Sequence, residues 1–239
     1  MRILLIFVLL LACATARAGV TAERTRVIFN AGDTETALRV VNQNSYPVVV
    51  QAWIDDGDPE STPDTAEAPI IPLPPVFRLE PGEQRSLRLV SVGATPPSDR
   101  ESLYWLNLYE IPPDAARVAD DASSRLTVTL RTQMKVIHRP KGLSMTPQRA
   151  VARMEFRVEE GRMAVLNPTP YVMTLSGISL CSDPQEGWGE GALVRPFAQV
   201  WVALPASNCA RSTNAVRFSW IDDDGNIQQG SARLQGAQS

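Results

Sequence analysis

Few residues in this chain could do chemistry, and they lie far apart. His138 is the single histidine among 239 residues, so a Ser-His-Asp or Cys-His nucleophile would have to be built on it. It sits near the end of RLTVTLRTQMKVIHRP, residues 125–140, beside Arg139 and Pro140. That run alternates Leu126, Val128 and Leu130 with Thr127, Thr129 and Arg131, the period of a β-strand. A histidine at the end of such a strand reads as structural or surface. No G-x-S-x-G, phosphate loop or H-E-x-x-H occurs. Asp222-Asp223-Asp224-Gly225-Asn226 has the composition of a calcium loop but neither the spacing nor the closing glutamate, so it reads as an acidic turn. One histidine with the few cysteines does not make a structural zinc site. The residues point to no catalytic group, no metal and no cofactor.

The elements that carry these residues are β-strands. Residues 26–29, 37–41, 48–54, 86–90, 102–108 and 126–137 are short runs rich in Val, Ile, Leu and aromatics. Asp55-Asp56-Gly57-Asp58, Pro81-Gly82 and Pro112-Pro113 punctuate them. Residues 58–75 hold six prolines, which predicts a loop with little regular structure. No segment keeps a helical period for a dozen residues. Six or seven short strands in about 120 residues suggest an antiparallel sandwich. A boundary falls at RPKG, residues 139–142, and the β pattern restarts beyond it. Residues 152–158 and 163–166 read as a hairpin, followed by strands at 171–180, 199–204 and 216–220. Asp224-Gly225 is a hairpin turn signal before a last run ending at Leu234. The chain is therefore expected to be all-β, with one sandwich over 19–139 and a second over 140–239.

Composition allows this and excludes other classes. The length suits one large domain or two of about 100–120 residues. The chain is 44% hydrophobic and 21% charged, with a net charge of -3. Lys and Arg are dispersed, so no nucleic-acid footprint is visible. Residues 1–18 differ from the rest: Met1-Arg2 supplies a positive start, residues 3–11 are an apolar run, and Ala16-Arg17-Ala18 fits a small-x-small cleavage site. The run is too short to span a bilayer in the usual way. Cleavage after Ala18 and a mature start at Gly19 are expected. Leu10-Leu11-Ala12-Cys13 loosely resembles a lipoprotein box, though leucine fits its second place poorly. With Cys13 removed, Cys181 and Cys209 could pair in an oxidising compartment, or remain as two buried thiols. No other segment is apolar for long enough to cross a membrane, so the mature chain is not expected to be membrane-embedded.

Several stretches together resemble the periplasmic pilus-assembly chaperones of the chaperone–usher pathway. RESLYWLNLYEIPP, residues 100–113, looks like that family's characteristic strand and following turn. TRVIF at 25–29, PVFRLEPG at 75–82, KVIHRP at 135–140 and NPTPY at 167–171 are similar to other family segments, in the family's order. An aromatic is commoner than His138 at its position. The resemblance implies two immunoglobulin-like sandwiches in an angled, boomerang arrangement with a cleft between them. It implies a non-enzymatic, ATP-independent chaperone without a cofactor. Its clients would be pilin subunits that lack one strand, and it would deliver them to an outer-membrane usher.

The resemblance also implies roles for particular residues. Leu126, Val128 and Leu130 match the alternating positions of a strand lent to the subunit, a form of β-augmentation. Arg26 and Lys135 match two cleft cations that hold the subunit's C-terminal carboxylate. Glu101, Arg139 and Asp223 align with an ion network that sets the angle between the domains, although the run Asp222 to Asp224 leaves the register of the last member open. Taken alone, the three apolar residues would fill their own core, and the charges would be solvated surface groups. An apolar strand edge also invites weak self-association. An exported adhesin or pilus subunit made of two sandwiches is the alternative, but residues 19–25, GVTAERT, do not supply the alternating extension such a subunit needs. A β-sandwich hydrolase would require His138.

Overall fold

The computed structural model describes residues 19–93, 96–113, 128–159, 161–183, 186–204 and 214–235. Period-two patterning organises the first half. In β3 (Glu35–Asn42), Leu38, Val40 and Asn42 turn inward while their neighbours face out. β7 (Gln84–Ser91) does the same with Leu87 and Leu89. These two strands pair antiparallel, with Leu38 opposite Leu87. β1 (Val20–Ala22) and β5 (Ile70–Leu73) complete a four-stranded sheet in the order β1-β3-β7-β5. The facing sheet contains β2 (Arg26–Asn30), β9 (Leu130–Arg139), β8 (Ser102–Ile111), β4 (Val48–Asp55) and β6 (Val76–Leu79), in that order. Phe29, Leu38, Val50, Leu89, Leu106 and Val136 meet between the sheets in one buried cluster.

β5 corrects an expectation, because it lies in the proline-rich stretch read as loop. Ile70 is buried, and the strand pairs with β7 from Ile70–Ser91 to Leu73–Arg88. Pro72 is tolerated because β5 is the sheet's outer strand, where a missing N–H need not break a ladder.

The second half forms another sandwich. A short helix, α1 (Pro147–Val151), opens it, with the Thr146 hydroxyl accepting from the Arg149 N–H and proline at the first position. This turn buries Ala150 and Val151, so β10 (Glu155–Glu159) starts three residues later than the expected 152. β11 (Arg162–Asn167), β12 (Met173–Ser179), β13 (Ala192–Val194), β14 (Ala198–Ala203), β15 (Ala215–Ile221) and β16 (Ile227–Gln235) follow. Their order is β13-β12-β15-β16-β10-β11-β14. The parallel contact of β10 with β16, through Phe156–Leu234 and Arg157–Gln235, joins its two halves. Phe156, Met163, Ile178 and Phe218 are fully buried at the centre. The acidic run forms the β15–β16 turn: the Asp222 carboxylate accepts from the N–H groups of Asp224 and Asn226, and Gly225 takes φ 89°. Both halves are thus immunoglobulin-like β-sandwiches.

Candidate functional site

β9 is paired unequally on its two sides. β8 covers one side from Ser102–His138 to Glu110–Leu130. β2 covers the other only from Arg26–Lys135 to Asn30–Arg139. Among the described residues, Leu130 to Met134 therefore keep one backbone edge without a strand partner. On the even-numbered face, Met134 and Val136 enter the core. Leu130 continues that stripe beyond the core and is 46% exposed; Val128 precedes the strand and is 58% exposed. Among the described residues the strand begins at Leu130, where pairing with Glu110 begins, and not at Val128; the expected start at 126 falls outside them. Leu126 lies outside the described residues.

The opposite face of β9 is held by polar contacts. Arg131 Nε and Gln133 Nε2 both donate to Asn107 Oδ1, at 2.8 Å each. Asn107 Nδ2 donates in turn to the buried Asp55 carboxylate at 2.7 Å, which also accepts from Trp53 Nε1 and from Arg131. The Arg131 guanidinium lies 4.9 Å from the Trp53 ring centre. Sequence reasoning missed this bracket. Its one available signal was the polar Asn107 amid the apolar run of β8, because a buried amide requires partners.

At the root of the open edge, Arg26 and Lys135 are register neighbours on parallel strands. Arg26 is buried, and one of its terminal nitrogens donates to the Ile221 carbonyl of the second sandwich at 3.1 Å. Its Nε is buried with no hydrogen-bond partner. Lys135 Nζ lies 5.1 Å over the Trp105 ring. Burial lowers the pKa of both cations, and the charge of Arg26 lowers that of Lys135 further. The charges of Asp223 and Asp222 partly offset the effect on Arg26. Two desolvated cations side by side, one with an orphaned donor, can accept an anion by charge-assisted hydrogen bonds.

Arg139 joins the two sandwiches. Its Nε donates to Glu101 at 2.6 Å, and its terminal nitrogens grip both oxygens of Asp223 at 2.6 and 2.8 Å. The second Glu101 oxygen accepts from the Val172 N–H at 2.7 Å, and the Glu101 N–H donates to the Pro170 carbonyl. Burial pushes the Glu101 carboxyl above the ordinary range, against the pull of Arg139. Burial disfavours the charge on Arg139, but Asp223 and Glu101 overcome it, so its pKa is raised and it stays protonated. Leu103, Ile137 and Val172 form a small apolar cluster beside this triad.

Elsewhere, His138 is buried against Phe29 with ring centres 6.3 Å apart, and burial lowers its pKa. Cys181 is buried and disulfide-bonded, while Cys209 lies outside the described residues.

Two sandwiches bridged by the Glu101–Arg139–Asp223 triad, with a half-open strand leading to the neighbouring cations Arg26 and Lys135, define the architecture of this protein. Residues 19–144 match the model for the PapD N-terminal domain of pili and flagellar-assembly chaperones, and residues 149–232 that for the C-terminal domain of the pili assembly chaperone PapD. The chain belongs to this family, the pilus-assembly chaperones of the chaperone–usher pathway. It is 36% identical over 217 residues to the chaperone protein FimB/FhaD of Bordetella pertussis, covering 89% of this chain and 86% of that one. It is similar to the Pseudomonas aeruginosa CupB2 chaperone, with TM-score 0.75 and 30% identity over 90% of this chain and all of that one. It also resembles a chain from the Salmonella enterica SafA pilin–SafB chaperone complex, with TM-score 0.76 and 28% identity over 92% of this chain and 99% of that one.

Proposed function

We propose that this chaperone lends the open edge of β9 to incomplete pilin subunits. The observation that carries this is the unequal pairing of β9, open from Leu130 to Met134 and closed by β2 from Lys135 onward. A client strand can take the place that β2 leaves empty. The client's C-terminal carboxylate then docks between Arg26 and Lys135, supplying the anion that these cations lack. Its last strand must run parallel to β9, because its terminus lies at the root where β2 begins. Leu130, Val128 and Leu126 fill the client's groove. Each fully buried side chain contributes about 1.5–3 kcal/mol before the costs of association.

Support for this client class comes from the related SafB chaperone, whose solved complex contains a pilin. On this reading the chain is exported, cleaved after Ala18 and active in the periplasm without ATP, with the two domains dividing at 139/140. Cys181 pairs with Cys209. The chaperone passes its clients to an outer-membrane usher, and replacement of the lent strand by the next subunit's own strand drives fibre growth. Glu101, Arg139 and Asp223 hold the domains at the angle the cleft needs. Without a client, the bare β9 edge favours weak self-association.

The test is co-expression with the pilin encoded beside it. The pilin is expected to become soluble and co-purify. Full protection by both Arg26→Ala and Lys135→Ala variants would sink the carboxylate anchor, and full protection by Val128→Asp would sink the lent strand.

A further inference from the structure

Among the described residues, the partners of the buried Glu110 carboxylate are all neutral. Glu110 is 5% exposed and lies on β8 directly opposite Leu130. One oxygen accepts from the Val20 N–H at 2.8 Å, and the other from the side-chain amide of Asn44 at 2.7 Å. A buried carboxylate usually requires a cation. Gly19, also buried, stands at this position. Its N–H donates to Asn44 Oδ1 at 2.9 Å, and its carbonyl accepts from Gln43. A Cβ placed on Gly19 would lie 3.6 Å from Glu110 Oε2 and 3.7 Å from Leu130 Cδ1. The Gly19 nitrogen is thus within one residue's reach of the carboxylate.

We infer that the α-ammonium group released at Gly19 by signal cleavage is the missing counter-ion of Glu110, so that processing completes a buried ion pair behind the lent strand. This rests on the cleavage after Ala18 proposed above. Water adds across the Ala18–Gly19 peptide bond; Ala18 leaves with a carboxylate, and the new Gly19 amine binds a proton at neutral pH. A single amide donor becomes three charged donors. One keeps the Asn44 bond, and the others turn toward Glu110. The pair then pins the start of β1 against β8 and Leu130. The unprocessed chain has no charge there and leaves Glu110 uncompensated.

The mass of the N-terminal peptide from the periplasmic protein establishes the cleavage site independently. The ion pair is tested on two chains, one starting at Gly19 and one with a single added alanine before it, each also carrying Glu110→Gln. The added alanine is expected to lower the Tm by about 5 °C in the native background. The gap should close in Glu110→Gln, which keeps the shape and removes the charge. A second readout is acylation of the α-amine near neutral pH, which should be slow in the folded native chain and faster with Glu110→Gln. Equal melting of the two native-background chains, an equal gap in both backgrounds, or an amine as reactive folded as unfolded would overturn the proposal.

Discussion

Arg26 and Lys135 sit opposite each other on parallel strands, one buried cation and one half-buried, and neither forms an ion pair with a described carboxylate. Each raises the cost of the other's charge, which is an unfavourable arrangement for an empty protein and a favourable one for a protein awaiting an anion.

Lys135→Met should therefore make the free chaperone more stable at neutral pH. The folded state lowers the Lys135 pKa, so wild-type stability rises with pH between the folded and unfolded values. The variant lacks that rise, and its advantage should shrink in alkaline solution. Urea unfolding across pH checks the sign. Pilin capture should weaken about 10- to 100-fold, the worth of a lost charge-assisted hydrogen bond.

Leu130→Asn separates binding from folding, because it removes the apolar side chain without setting a second carboxylate opposite Glu110. Leu130 is 46% exposed, so stability should change by no more than about 0.5 kcal/mol. Co-purification of pilin should be lost. Unimpaired capture would return Leu130 to the role of an ordinary exposed side chain.

Arg139→Ala should cost about 3–5 kcal/mol, because it leaves Glu101 buried and uncompensated. Arg139→Lys should recover only part of this, since one ammonium cannot grip both Asp223 oxygens and reach Glu101. Chemical denaturation of the three proteins gives the ranking.

Asn107→Ala removes the amide that links Asp55 to Arg131 and Gln133. A cost of about 1–3 kcal/mol is expected from the unsatisfied partners. Faster amide hydrogen exchange at the start of β9 would show that the bracket holds this strand to β8.

The sequence showed strands well where one face is buried, as in β3 and β7, because alternation then reports burial directly. It failed where the residue types contradict the element: prolines concealed the edge strand β5, and five residues are too few for α1 to show a helical period. The positions of Arg26, Lys135, Glu101, Arg139 and Asp223 were legible only through family resemblance. Nothing local in a sequence shows that residues 26 and 135 will be register neighbours. The Asp55–Asn107 contact spans 52 residues and has no pattern of its own. Glu110 was visible only as one letter of a strand, since its meaning depends on the Gly19 nitrogen that folding brings beside it.

The spacing along β9 sets a ruler. Leu130 and Lys135 are five strand steps apart, about 17 Å at the rise of an extended chain. On the proposed reading, a client held by its terminus at Lys135 must offer its first empty pocket at that distance. Subunits built for this chaperone would then share a fixed measure from last residue to groove, whatever their remaining sequence, and a client lengthened by one residue would arrive with its pockets turned to the wrong face of the strand.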